Sequence, residues 1–169
     1  MILIVMGVSG SGKTTLAQTL AKLTGWQFAE GDDYHSEANR RKMHSGIPLT
    51  DEDRGPWLAT LHALILKWHQ RGESGILTCS ALKQTYREIL AADLPPGACR
   101  FVLTEAPREV ISQRMKARLH FMPAELLDSQ IATLELPADA LHVSALEPSE
   151  AAARKVLDIL GIAPLTQTN

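Results

Sequence analysis

Ile2-Leu3-Ile4-Val5-Met6-Gly7-Val8-Ser9-Gly10-Ser11-Gly12-Lys13-Thr14 is the stretch that decides how the rest of the chain is read. Its first five residues form an unbroken apolar run closed by glycine, the pattern of a strand covered on both faces. The next eight match GxxxxGK[ST], and Thr14 to Leu23 then carries Leu16, Leu20 and Leu23 at helical spacing before a stop near Gly25. A strand, a glycine-rich loop and a helix in that order are the parts of a phosphate cradle, the P-loop. Glycines let backbone N–H groups wrap a polyphosphate closely. The helix adds its positive N-terminal end. Gly7, Val8, Ser9, Gly10, Ser11 and Gly12 would line the cradle together with Thr15, Lys13 would reach the outer phosphates, and the Thr14 hydroxyl would complete the shell of a Mg²⁺ ion. A glycine-rich turn before a capped helix is the plainer alternative, but such a turn does not require lysine at position 13.

Outward from this unit the same alternation continues. Ile76–Cys79, Cys99–Leu103 and Leu141–Ser144 resemble the first strand, and Gln27–Glu30 is a weaker candidate. Between them run helical patterns, one entered at Pro56 and ending by Gly72, others entered at Pro107 and Pro123, and a last one from Ser149 to Leu160 closed by Gly161. The tail from Ile162 to Asn169 reads as frayed. Strands alternating with helices imply βαβ units, hence an α/β fold with a mostly parallel five-stranded sheet flanked by helices. Ligands in such sheets lie beyond the carboxyl ends of the strands.

The 169 residues, 45% hydrophobic and 21% charged, suit one globular domain spanning 1–169. A chain this long buries roughly 70% of its unfolded surface without needing disulfides or a structural metal. Its formal charge of −2 argues against a nucleic-acid coat or a membrane-surface binder. Cys79 and Cys99 lack metal-ligand spacing and read as buried reduced thiols. The Met1–Met6 run has no basic flank and is too short for a signal peptide or a membrane span. A cytoplasmic location follows as the expectation.

Among P-loop proteins, a GTP switch needs an NKxD sequence, yet neither Asn39 nor Asn169 is followed by lysine. A transporter LSGGQ signature is absent too. A compact small-molecule kinase remains, and the residues after each strand support it. Glu30-Gly31-Asp32-Asp33 places carboxylates opposite the cradle, where Asp32 could hold Mg²⁺ through water or accept the proton of an attacking hydroxyl. The alternative is that Asp32 and Asp33 cap a helix starting near Ser36. Arg54, a cation at the unfavourable end of a helix, suggests an anionic partner. Ser80 reads as a helix cap, with Lys83 and Arg87 four apart on one helical face, facing either an acidic substrate or solvent. Arg114, Lys116 and Arg118 precede Pro123 in a segment suited to a mobile lid of about residues 114–134, which would close Arg114 and Arg118 over the transferring phosphoryl group and exclude water.

Taken together, Gly7–Thr14, Gly31-Asp32, His35, Asn39, Lys42-Met43, Asp51-Glu52-Asp53-Arg54, Pro56-Trp57-Leu58, Cys79-Ser80-Ala81-Leu82-Lys83, Tyr86-Arg87, His120-Phe121-Met122-Pro123, Gln130 and Thr133-Leu134-Glu135 resemble bacterial gluconokinase along nearly the whole chain. Shikimate and nucleoside monophosphate kinases share the P-loop but not the DEDRxPWL and CSALK combination. The resemblance implies transfer of the ATP γ-phosphoryl to the 6-hydroxyl of D-gluconate, with Mg²⁺, by a cytoplasmic homodimer. It puts Asp32 by the substrate hydroxyl, His35, Arg54, Lys83 and Arg87 among the substrate contacts, Arg118 and His120 in the lid, and Pro148 near adenine. Only Leu119 separates Arg118 from His120, where the family usually has two residues, so the lid arginine that reaches the phosphates stays open. Kinases of another hydroxy acid such as shikimate, an ATP-binding module without catalysis and a nucleic-acid binder are the competing readings.

Overall fold

The computed structural model describes residues 1–117 and 124–165. Strand β1 (Ile2–Met6) is the centre of a five-stranded sheet, with every residue fully buried. Such burial on both faces is what an unbroken apolar run requires. The other strands are β2 (Gln27–Glu30), β3 (Gly75–Thr78), β4 (Cys99–Glu105) and β5 (Leu141–Ser144), in the spatial order β2-β3-β1-β4-β5. All four pairings are parallel, with Ile2 opposite Gly75 on one side and Cys99 on the other.

Alternate residues of β1 divide between two apolar layers. Leu3 and Val5 pack with Leu16 and Leu20 of α1 (Lys13–Thr24) and with Val156 and Leu157 of α7 (Ser149–Leu160). Ile2, Ile4 and Met6 face Trp57, Leu61 and Ile65 of α3 (Asp51–Gln70) and Leu90 of α4 (Gln84–Ala91). A smaller cluster of Val8, Leu82, Ile111, Met115 and Leu127 joins the cradle to α5 (Arg108–Lys116) and α6 (Ala124–Thr133). Helix α2 (Glu37–His44) lies between β2 and α3 in the chain.

Several local expectations are corrected. Helix α3 starts five residues before Pro56, because Thr50 and Asp53 form a reciprocal capping box that opens it at Asp51. Pro56 therefore sits inside the helix and removes the bond its N–H would make to the Glu52 carbonyl. Pro107 is the residue before α5 rather than its first. Pro123 lies outside the described residues. Ser36 caps α2 by accepting from the Asn39 N–H, so Asp32 and Asp33 do not; they sit in a separate 3-10 turn, Gly31–Tyr34. Of the tail expected to fray, residues 166–169 lie outside the described residues, while the described part is held in place. The Leu165 N–H donates to the Leu23 carbonyl at 2.7 Å, fastening Ile162–Leu165 to the end of α1. Cys79 is buried, whereas Cys99 is only partly so, and both are free thiols.

Candidate active site

The connections leaving β1 and β4 run to opposite sides of the sheet, so a crevice opens beyond their carboxyl ends. The loop from Gly7 to Gly12 occupies it. Gly7 and Gly12 have φ of 137° and 101°. A Cβ at Gly7 would come within 2.7 Å of the Thr104 carbonyl oxygen, and one at Gly12 within 3.1 Å of Ala145 Cβ. The spacing of glycines is thus set by both dihedral and space. Buried Ser11 shares a 2.7 Å hydroxyl hydrogen bond with Thr104, whose hydroxyl donates to the Met6 carbonyl. Lys13 is nearly buried, and its Nζ donates to the Val8 carbonyl at 3.0 Å.

Beside the cradle is a cavity of about 490 Å³, lined by Gly10, Gly12, Arg114, Val143, Glu147 and Ser149 among others. Arg114 donates to the Ala145 carbonyl at 2.7 Å, which sets its guanidinium at one wall. Pro148 stands between two lining residues, as the residue before α7. Thr15 lines the same cavity. This arrangement gives a nucleotide base and sugar a place next to the phosphate cradle.

The carboxylate that meets Thr14 is Glu30, where the sequence had offered Asp32. Thr14 Oγ1 donates to Glu30 Oε2 at 2.7 Å, and the Thr78 hydroxyl donates to Glu30 Oε1. Thr78 Oγ1 also accepts from the Gly31 N–H, and the Trp57 indole donates to the Gly31 carbonyl at 2.8 Å. Any side chain at Gly31 would meet the Thr78 carbonyl at 2.1 Å, so the turn that carries Asp32 is held tightly against β3. Glu30 is the last residue of β2, the position that strand-end reasoning singles out. Its two-residue spacing from Asp32 was the available signal. A hydroxyl and a carboxylate, both hard oxygen donors, fit Mg²⁺.

Asp32 is largely exposed, with its carboxylate 4.0 Å from His35 Nε2. His35 stacks on Trp57 at 4.1 Å between ring centres, and its Nδ1 is buried without a hydrogen-bond partner. Burial, aided by the charges of Arg54 and Arg40 and opposed by Asp32, pushes the His35 pKa down to about 4. The folded protein thus resists protonation that the unfolded chain accepts near pH 6.5. This contribution to stability is complete above pH 6.5 and lost as the pH falls towards 4. Urea denaturation of the wild type should show about 2 kcal/mol less stability at pH 5.0 than at pH 7.5 from this group. Most of that difference should vanish in His35→Phe; an unchanged difference would mean His35 is not the group responsible. Asp51 and Asp53 do not confuse the test, because hydrogen bonds from Lys83 and Lys42 hold their carboxyls below the usual range.

Across the crevice, Arg54 and Lys83 both lie near one aromatic ring. The Arg54 guanidinium lies 5.6 Å and the Lys83 ammonium 5.5 Å from the centre of Tyr86. Asp51 holds Lys83 at 2.8 Å and accepts from the Tyr86 hydroxyl. These residues line a second cavity of about 300 Å³, with Gln130 and Thr133 of α6 on its other wall. The charges of Asp32, Lys13 and Arg54 are all felt by the thiol of Cys79, whose pKa burial drives up to about 12.

Lys83 and Arg87 do not share a helical face. Lys83 is the residue before α4, and the Ser80 carbonyl accepts from the Gly7 N–H rather than its side chain capping the helix. Arg87 is buried, donating to the Ala81 and Leu82 carbonyls and to Gln84 Oε1. It braces a loop in which Ala81 has a φ of 44°, a strained value for a residue with a side chain. Its guanidinium thus shapes the backbone that delivers Lys83. Arg118 and His120 lie outside the described residues.

A protein-family model described as an AAA domain matches residues 2–137. A gluconokinase of Gluconobacter oxydans (strain 621H) is 51% identical over 138 residues, covering 81% of this chain and 76% of that relative. The chain belongs to the gluconokinase family. The crystal structure of a gluconokinase from Sinorhizobium meliloti 1021 matches with a TM-score of 0.81 and 41% identity, covering 94% of this chain and 90% of that one. An unliganded sugar kinase from Janibacter sp. HTCC2649 matches with a TM-score of 0.85 and 48% identity over 99% and 98% of the two chains. Shikimate kinase from Acinetobacter baumannii, at 16% identity and a TM-score of 0.56, shares the fold alone. The family assignment favours gluconokinase over shikimate kinase among the competing readings.

Proposed function

We propose that this gluconokinase-family chain phosphorylates D-gluconate at its 6-hydroxyl, using ATP and giving 6-phospho-D-gluconate and ADP. The observation that carries the reading is the second cavity, where Arg54 and Lys83 both lie close to the Tyr86 ring. Two cations beside a ring and a polar wall suit a small carboxylate with several hydroxyls. Lys13 and the N–H groups of the cradle bind the phosphates and draw off charge as it develops. Thr14 and Glu30 would hold Mg²⁺, with Asp32 near it through water; bound there, the ion would neutralise phosphate charge. Asp32 accepts the proton of the 6-hydroxyl as that oxygen bonds to phosphorus and the bond from phosphorus to the ADP oxygen breaks. Arg54 and Lys83 anchor the carboxylate, His35 keeps the Asp32 turn packed on Trp57, and Arg87 holds the Lys83 loop. Arg114 and Pro148 border the adenine site, and Arg118 and His120 belong to the lid.

The reading includes a cytoplasmic homodimer. Among the described residues, no helix is long and apolar enough to cross a membrane. Light scattering on the purified protein tests the dimer. The activity itself is tested with a panel of D-gluconate, other sugar acids, shikimate and nucleoside monophosphates, following ADP release and phosphorylated product. D-Gluconate should be the best acceptor. Preference for shikimate would overturn the acceptor assignment, and ATP binding with no product from any acceptor would favour a non-catalytic module.

A further inference from the structure

The cradle is touched from a direction that phosphate binding does not require. Gln130, on α6, accepts a 2.7 Å hydrogen bond from the Ser9 backbone N–H through Oε1 and donates to the Ser9 hydroxyl through Nε2 at 3.2 Å. The orientation of this amide is fixed by chemistry. A backbone N–H can only donate, so the atom facing it must be the carbonyl oxygen, and the NH₂ must face the hydroxyl. Ser9 Oγ is therefore an acceptor at that contact, and its single proton stays available to another acceptor.

The same peptide unit is held at its opposite end. Val8 supplies its carbonyl, which accepts from Lys13 Nζ at 3.0 Å, and Ser9 supplies the N–H that Gln130 receives. In a planar trans peptide these two groups point in opposite directions, so Lys13 and the Ser11 N–H, which donates to the Val8 carbonyl at 3.2 Å, hold one end and Gln130 the other. When Lys13 turns to a phosphate, the grip of Gln130 on the N–H persists. Gln130 also lines the acceptor cavity with Arg54 and Lys83. It therefore stands between the cradle and the acceptor.

We infer that Gln130 is a positioning residue for phosphoryl transfer, setting the Ser9 peptide and aiming the Ser9 hydroxyl at the outer phosphate where it meets the acceptor. The inference deepens the proposed kinase reaction and rests on it. Helix α6 has other fastenings: the Glu135 N–H donates to the Leu82 carbonyl at 2.8 Å, the Glu135 carboxylate accepts from the Gln84 N–H at 2.6 Å, and Arg108 pairs with Asp128. Losing the Gln130 amide therefore need not unseat the helix.

The test uses Gln130→Leu, Ser9→Ala and the double variant in the full chain. Two quantities are read: kcat and KM for gluconate, and the affinities for ADP and for a non-hydrolysable ATP analogue with Mg²⁺. Gln130→Leu should lower kcat about tenfold to thirtyfold, the scale of losing hydrogen bonds to a group that faces charge. Affinity for the ATP analogue should fall about fivefold relative to ADP, since only the former carries the outer phosphate. The double variant should lose no more than about twice what the worse single variant loses, because both changes act through Ser9. An unchanged kcat, fully multiplicative losses, or equal weakening of both nucleotides with a lowered melting temperature would each overturn the inference. Should the wild type transfer nothing to gluconate, the acceptor reading fails, while the ratio of the two nucleotide affinities still decides the role of Gln130.

Discussion

Lys13→Ala should reduce kcat by about 10²–10³-fold, the scale of removing one preorganised charge donor from a transition state. The side chain is nearly buried, and its ammonium rests on the Val8 carbonyl at 3.0 Å inside the cradle. It needs only a small movement to leave a neutral oxygen for an anionic one. A phosphoryl group in transfer spreads negative charge over its outer oxygens, and the protein's contribution is mostly placement and neutralisation. Alanine removes the charge but keeps the helix former at the start of α1. Thermal melting should accordingly stay near that of the wild type while turnover collapses. Near-normal phosphorylation by this variant would sink the kinase mechanism at this cradle.

The second large effect belongs to Asp32→Asn. Asparagine keeps the size of the side chain and suits the same turn, yet cannot accept the hydroxyl proton. A loss of about 10²–10⁴-fold in kcat is expected, the range for a positioned general base. The exposed Asp32 makes one long contact with His35 in the described structure. Stability should therefore change by no more than about 0.5 kcal/mol. Steady-state kinetics at saturating gluconate and ATP, with melting temperature measured in parallel, separate chemistry from folding. A variant retaining more than about a tenth of wild-type kcat would remove Asp32 from the role of base.

How far these roles could be read in advance depended on whether a residue's function is local in the chain. The backbone of the cradle was legible, because the loop Gly7–Gly12 and the helix start at Lys13 and Thr14 are written in consecutive residues. The parallel sheet was legible for the same reason: the run Ile2–Met6 has no polar residue to place on a solvent face. Glu30 was harder. Its partner Thr14 is 16 residues away on α1 and Thr78 is 48 away on β3, so only the folded sheet, with β2 beside β3, brings the three together. Arg87 was misplaced because helical spacing was counted from Lys83, whereas α4 begins at Gln84 and the arginine turns back to the Ala81 carbonyl. Pro56 misled about the start of α3, since proline tolerance near a helix start is a weaker signal than the Thr50–Asp53 capping box, which opens the helix five residues upstream at Asp51. Gln130 lies 121 residues from Ser9, and nothing local announces that contact.

The place of β1 in the sheet bears on how the protein is made. Ile2–Met6 is synthesised well before both of its neighbours, Gly75–Thr78 and Cys99–Glu105. Closing such distant parallel pairs is entropically slow. On a growing chain, five apolar residues that are fully buried in the finished sheet stay without a strand partner until Gly75–Thr78 has emerged, and without the second until Cys99–Glu105 has. Throughout that interval the segment is an aggregation-prone strand and a natural client for a chaperone. The Gly7–Gly12 loop, which is anchored through Ser80 and Thr104, likewise cannot take its final shape before then. On the proposed reading, a ribosome-bound chain stopped before β4 would not retain ATP.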